Sequence, residues 1–201
     1  MSDESFDSED LIDNSVEDSL LIDEEKAKNK NGDKKDDLNE NLNLIRSISN
    51  CLTTILEENE KLKNYRDIIK KQSKMVFSAN SIPCISLEDY LIRIQAYSDI
   101  EKNTFILALV VIDHICKKSN LVLTYYNIHR VLFGSILISI KYNEDTYYDN
   151  KFYAEIGGVT LKELKKMEYS ILELSEFNVF VNNLEFEQYR KYLEDSNQNS
   201  Q

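Results

Sequence analysis

The chain has 201 residues with only 4 Gly and 1 Pro, a length for one domain plus an extension and a composition that suits helices. Its formal net charge of −12 is unevenly placed. Met1 to Glu25 hold eleven acidic residues and no Lys or Arg, leaving 25 of the 36 acidic residues to face 24 basic ones. No basic stripe remains to neutralise phosphates along a duplex, which argues against direct nucleic-acid binding. Cys51, Cys84 and Cys116 are odd in number and lack a C-x-x-C spacing. That points to a reducing compartment and away from a disulfide framework.

Residues 1–37 are rich in Asp, Glu, Ser, Asn and Lys. They lack the apolar surface to offset chain entropy and read as a disordered acidic tail. Leu11-Ile12 and Leu20-Leu21-Ile22 are a possible short docking motif within what is otherwise a solubilising tail. No basic segment followed by an apolar run opens the chain, so no secretory signal is expected. From 38 to about 71, Leu42, Ile45, Ser49, Leu52, Ile55-Leu56, Leu62, Tyr65 and Ile69 recur at threes and fours. This predicts a helical segment, covering an apolar face, with a break near Glu58-Asn59.

Pro83 disfavours helix at Ile82 and marks a boundary. Ser86, with Asp89 three on, predicts a helix from 86 to about 97 that buries Leu87, Tyr90, Leu91 and Ile94. A second helix is expected over about 103–118, with Lys117 and Lys118 at its negative end. Its run Phe105–Ile112 falls short of the ~18–20 residues a bilayer span needs, so it reads as buried core. A third helix, about 124–142, has Val131, Leu132, Ser135, Ile138 and Ser139 and little polar face, which predicts the middle of the core. A short fourth helix, about 150–156, ends at Gly157-Gly158, since Gly adopts the left-handed stop without a Cβ clash. Thr160 with Glu163 forms a capping-box pattern for a fifth, which carries Leu161, Leu164, Met167, Ile171 and Leu174. Asn182 with Glu185 opens a last short helix to about Leu193, and the polar end beyond is expected to fray.

Parts for catalysis are missing. His114-x-Cys116 has no second pair at zinc spacing, and no metal or cofactor is expected. Gly157-Gly158 is followed by Val-Thr, so it is a helix stop and no phosphate cradle. No nucleophile, base and orienter stand in a recognisable set. His129, flanked by apolar residues, reads as a packed, hydrogen-bonded core group.

The stretch I-K-Y-N-E-D-x-Y-Y-D-N-K-F-Y-A-E-I-G-G-V-T-x-x-E-L-x-x-x-E, with N-I-H-R-V-L before it, resembles the P/U-type cyclins, the phosphate-regulon branch of the cyclin family. The likeness extends more loosely from Leu42 to Val181. It implies an all-α fold: a single five-helix cyclin box at 76–181, an N-terminal helical segment at 38–75, and a C-terminal helix with a frayed tail at 182–201. It also implies a non-enzymatic regulatory subunit that binds and activates a cyclin-dependent protein kinase, with no nucleic-acid or membrane partner. The chain is then a monomer before kinase binding and intracellular, in nucleus or cytoplasm. A cyclin-box scaffold or transcription adaptor without a kinase is the alternative.

By the same resemblance, Lys141 and Glu168 pair on the kinase-facing side of helices three and five. Tyr142, Leu172, Phe177 and Val179 are the apolar positions around that pair. Asp145, twelve residues before the Gly-Gly, falls where an acidic residue of the branch faces the kinase activation loop. A carboxylate there suits an arginine that otherwise needs a phosphorylated residue; a solvated loop acid is the plain alternative. Two departures matter. Asp113-His114 stands where most cyclins have Asp-Arg. The arginine-containing motif that opens mitotic cyclin boxes is absent around Ile82-Pro83-Cys84-Ile85, which argues against a groove for R-x-L substrate motifs.

Overall fold

A computed structural model describes residues 39–98 and 100–198. The acidic tail, its candidate docking motif and the last residues of the chain lie outside these. Contacts group Asn41–Gln201 as one compact unit. Among the described residues there is helix and irregular chain and no strand, so the fold is all-α. Helix α1 runs through residues 41–60 of this unit. It is followed by α2 (Tyr65–Gln72), α3 (Leu87–Ser98), α4 (Lys102–Ser119), α5 (Ile128–Asn143), α6 (Asn150–Gly157), α7 (Leu161–Leu174) and α8 (Asn183–Gln198).

Local chemistry sets several of these boundaries. The Ser86 hydroxyl accepts from the Asp89 N–H at 3.0 Å and opens α3. Asp149 accepts from the Phe152 N–H at 2.9 Å and opens α6. Thr160 and Glu163 complete a reciprocal capping box at the start of α7. The carbonyls of Glu58 and Asn59 are where α1 loosens, each accepting from only three residues on, so the helix gives way to turns after residue 60. α5 begins four residues later than the sequence pattern indicated. Asn127 accepts the Thr124 N–H at 2.8 Å through its side chain and donates to the Val122 carbonyl at 2.9 Å. This Asn-closed turn competes with helix over 124–127. α8 runs to Gln198, five residues beyond the expected end.

The core is organised around α5. From Val131 to Ile140 every residue is buried, because the helix packs between α4 and α7. Small side chains permit the close approach: a Cβ added at Gly134 would lie 3.1 Å from Ile171 Cγ1. α1 lays Ile45, Ile48, Leu52 and Leu56 onto the same core, each 1% exposed. Ile55, just before Leu56, is exposed at 39%, so the buried stripe is narrower than the pattern suggested. The α4 run Phe105–Ile112 is buried throughout, and among the described residues no helix is long and apolar enough to cross a membrane.

His129 and Arg130 tie the start of α5 to its surroundings. His129 Nε2 lies 3.0 Å from the Ile85 carbonyl and its ring meets Tyr90 edge-on at 5.2 Å. Since a carbonyl only accepts, Nε2 carries the proton. Nδ1 is then bare, buried and without a hydrogen-bond partner. Burial pulls the imidazole below its ordinary value of 6.5, opposed by the bond to Ile85. Arg130 donates to the Val76 carbonyl at 3.3 Å and to Glu163 at 2.8 Å. The Glu163 carboxyl is held at about 2 by the Thr160 N–H first, then by the Thr160 hydroxyl and Arg130.

Two glycines at the end of α6 have different reasons to be glycine. A Cβ at Gly157 would fall 2.1 Å from a ring carbon of Phe133, itself 1% exposed. Gly158 has open space around it but a φ of +65°. Gly157→Ala is therefore expected to lower stability by about 1–3 kcal/mol through overpacking, and Gly158→Ala by about 1–2 kcal/mol through backbone strain alone. Denaturant melts would show both losses. Only the first is recovered by combination with Phe133→Leu, because trimming the ring frees space and leaves φ unchanged. His129 adds a pH dependence. The unfolded chain takes up a proton near 6.5 that the folded chain resists, so stability falls as pH drops through that value. His129→Gln, which keeps a donor for Ile85, should flatten the melt midpoint between pH 7.5 and 5.5.

Candidate functional site

The last turn of α5 is where the buried helix first meets solvent. Ile140 is 1% exposed and Tyr142 50%, with Lys141 between them. On α7 the inward face is Leu164, Met167 and Ile171, and Glu168 follows Met167 at the edge of that face. Lys141 Nζ donates to Glu168 Oε1 at 2.5 Å. The pair is half-buried, with side chains 25% and 18% exposed, and it bridges the two helices. Asn150, the first residue of α6, donates its amide to Glu168 Oε2 at 2.8 Å. One ammonium proton is thus used of three, and both carboxylate oxygens keep a free lone pair. The pair can still donate to and accept from backbone groups brought against it.

The chain after α7 carries the apolar part. Glu176 and Phe177 have φ of +57° and +56°, a left-handed conformation that disfavours side chains. Bonds on both sides hold it. The Phe177 N–H donates to the Leu172 carbonyl at 2.7 Å. Lys118 of α4 donates to the Ser175 carbonyl at 3.0 Å and pairs with Glu176 at 3.2 Å. The result is a Phe177 ring 64% exposed, braced edge-on by Tyr169 at 6.3 Å. Leu172 and Val179 are partly buried against the core, so each serves packing and leaves only part of its surface outside.

Between α5 and α6 the loop 144–149 is fastened at both ends. Glu144 accepts the Glu101 N–H at 3.1 Å and also bonds the Thr104 hydroxyl, so it caps the start of α4 from another element. Asn143 donates to the same Thr104 oxygen at 2.9 Å. At the far end the Tyr148 ring lies 4.0 Å from that of Phe152, and the Tyr148 N–H donates to the Tyr153 hydroxyl at 3.3 Å. Asp145 stands exposed between these anchors. Its own side chain makes no hydrogen bond or ion pair with a described residue.

Lys141 and Glu168 are thus in contact, and Leu172 and Phe177 share a backbone bond. Tyr142, Asp145 and Val179 make no direct bond to that pair. The spacing pattern passed over Asn150, Tyr169 and Glu144, and took Lys118 only as a cation at the negative end of its helix. Asn150 and Glu144 lie inside the motif that carries the resemblance, which was the signal available for them. Lys118 and Tyr169 had none, because what they brace is a loop conformation.

Asp113-His114 has a structural part here. Asp113 accepts from Lys117 at 2.5 Å and from the Tyr189 hydroxyl at 2.6 Å, and His114 Nε2 meets Glu185 at 2.7 Å. Both residues fasten α8 onto α4. Nearby, burial pushes the Cys116 thiol up to about 12, so it stays protonated and unreactive at neutral pH. Among the described residues no three His, Cys, Asp or Glu side chains group to hold a metal ion.

Comparison with known proteins places this geometry. The Cyclin family profile matches residues 16–179. Cyclin-U4-1 of Arabidopsis thaliana is 31% identical over 152 residues, 75% of this chain and 74% of that protein. Cyclin-U1-1 of the same plant is 36% identical over 151 residues, 71% of each chain. The PHO85 cyclin-like protein psl1 of Schizosaccharomyces pombe is 31% identical over 125 residues, 61% of this chain and 51% of that protein. With four helices, α3, α4, α6 and α7, gathered about a buried α5 and a family match over most of its length, the chain belongs to the cyclin family.

Proposed function

We propose that this cyclin is the regulatory subunit of a cyclin-dependent protein kinase of the phosphate-regulon type, and that it grips the kinase through the ends of α5 and α7. The observation that carries the reading is the Lys141–Glu168 pair. It is half-buried, bridges two core helices, and retains unused donors and acceptors. Exposed aromatic residues stand close in the chain on either side, Tyr142 at 50% and Phe177 at 64%. A desolvated polar centre with apolar and aromatic anchors around it is the composition of an interface core. Leu172 and Val179 add the apolar surface that the chain's own core leaves uncovered.

The mechanism is a population shift. A rigid surface complementary to the active position of the kinase's mobile catalytic helix binds that position more tightly than others. The kinase's own Lys–Glu pair is then formed more of the time. This chain makes and breaks no bond in that scheme. The box spans 76–181 in this reading, and the segments 38–75 and 182–201 flank it. Asp145, held out on a loop fixed at Glu144 and Asp149, presents a free carboxylate to an arginine of the kinase activation loop. It stands in there for a phosphorylated residue.

Immobilised full-length chain should capture a cyclin-dependent kinase from its own cells, identifiable by mass spectrometry. Changing both Lys141 and Glu168 to Ala should weaken binding of the recombinant kinase at least about thirtyfold, since truncating a desolvated charged contact costs about 2–5 kcal/mol. Undiminished capture by that variant would rule out the proposed surface, and capture of polymerase components without any kinase would favour a scaffold. For Asp145→Ala, activity toward substrate should fall when the kinase loop is unphosphorylated and recover when the loop is phosphorylated. Full activity in the unphosphorylated complex would remove the role given to Asp145.

A further inference from the structure

Glu168 is held by two residues, and only one of them has been given a purpose. Lys141 occupies Oε1; the Asn150 amide occupies Oε2 at 2.8 Å. Asn150 is the first residue of α6, and that helix does not need its side chain. The cap is already supplied by Asp149, which accepts the Phe152 N–H. The backbone at this position leaves the amide free, and it is spent on a carboxylate 18 residues away on another helix.

We propose that Asn150 is a positioning residue of the kinase-binding surface. It fixes the Glu168 carboxylate in one orientation and ties the Asp145 loop to the Lys141–Glu168 pair. The inference rests on the kinase-facing reading of that pair. A Glu side chain bonded at one oxygen alone can rotate and offer Lys141 either oxygen. Bonded at both, it presents a single geometry, and less freedom is lost when a partner docks. The start of α6 is also the positive end of that helix, which favours a carboxylate beside it. The tie has a second effect. Asn150 directly follows the loop that carries Asp145, whose other end is anchored through Glu144 on α4. The acid loop and the ion pair are thereby set at a fixed offset, as two contacts on one rigid partner require.

The test is a double-mutant cycle on affinity for the recombinant kinase recovered by the full-length chain, with Asn150→Ala, Glu168→Ala and the two combined. Asn150→Ala should weaken binding about tenfold, within the usual range for coupled neighbours. It should add nothing further in the Glu168→Ala background. A role confined to folding of α6 would act independently of Glu168, so equal losses in both backgrounds would overturn the proposal. Wild-type affinity of Asn150→Ala would do the same. Wild-type affinity of Glu168→Ala would instead overturn the kinase-facing reading beneath it. NMR of the free chain gives a check that needs no kinase. Glu168→Ala should move the Asn150 side-chain amide to the position of a solvated amide and leave the Phe152 backbone amide, bonded to Asp149, in place. An unmoved Asn150 amide would count against the contact itself.

Discussion

The constraint on which this protein depends is that α5 is buried from Val131 to Ile140 and yet must end at the surface. A helix that apolar can only sit inside, so four others and the stripe of α1 gather round it. What emerges at its last turn is therefore placed by the whole core and not by a loop. Lys141 inherits that rigidity, and so does Glu168, which follows the buried Met167 on α7. The contact between them fixes the relative position of two helices where α5 reaches the surface.

Beyond that pair the protein holds two exposed features in place. The left-handed turn at Glu176 and Phe177 costs backbone energy, and Lys118, reaching over from α4, helps to hold it. The turn leaves the Phe177 ring in water. The loop carrying Asp145 is handled in a similar way. Its ends are fastened by a carboxylate capping α4 and by the Tyr148 ring against Phe152 of α6, while the acid between them is left exposed. Both features are held by bonds within the chain itself, so their shapes do not depend on a partner.

The departures from the family pattern also have a physical account. Asp113 and His114 hold α8 against α4 through Tyr189 and Glu185, so this pair works in the attachment of the C-terminal helix. That helix is longer than its sequence pattern suggested. Its apolar positions are sparse, and its place is set by these polar contacts together with Leu193, 1% exposed. Periodicity alone sees the apolar stripe and misses such clamps.

Local chemistry determined where three helices begin and one ends: Ser86, Asp149, Thr160 with Glu163, and Gly158 each act on backbone within four residues, and a one-dimensional pattern records such interactions. The apolar runs of α4 and α5 likewise declared burial, because no arrangement in water leaves them exposed. The motif from Ile140 to Glu168 carried the family, and with it the candidate residues. Tertiary structure alone decided that Glu168 has two partners and that Gly157 is required by a ring of Phe133 on another helix. It also decided that Phe177 is propped outward by a lysine 59 positions earlier in the chain. Each of these joins residues far apart in sequence through a distance of a few ångströms, and no spacing rule along the chain encodes that distance.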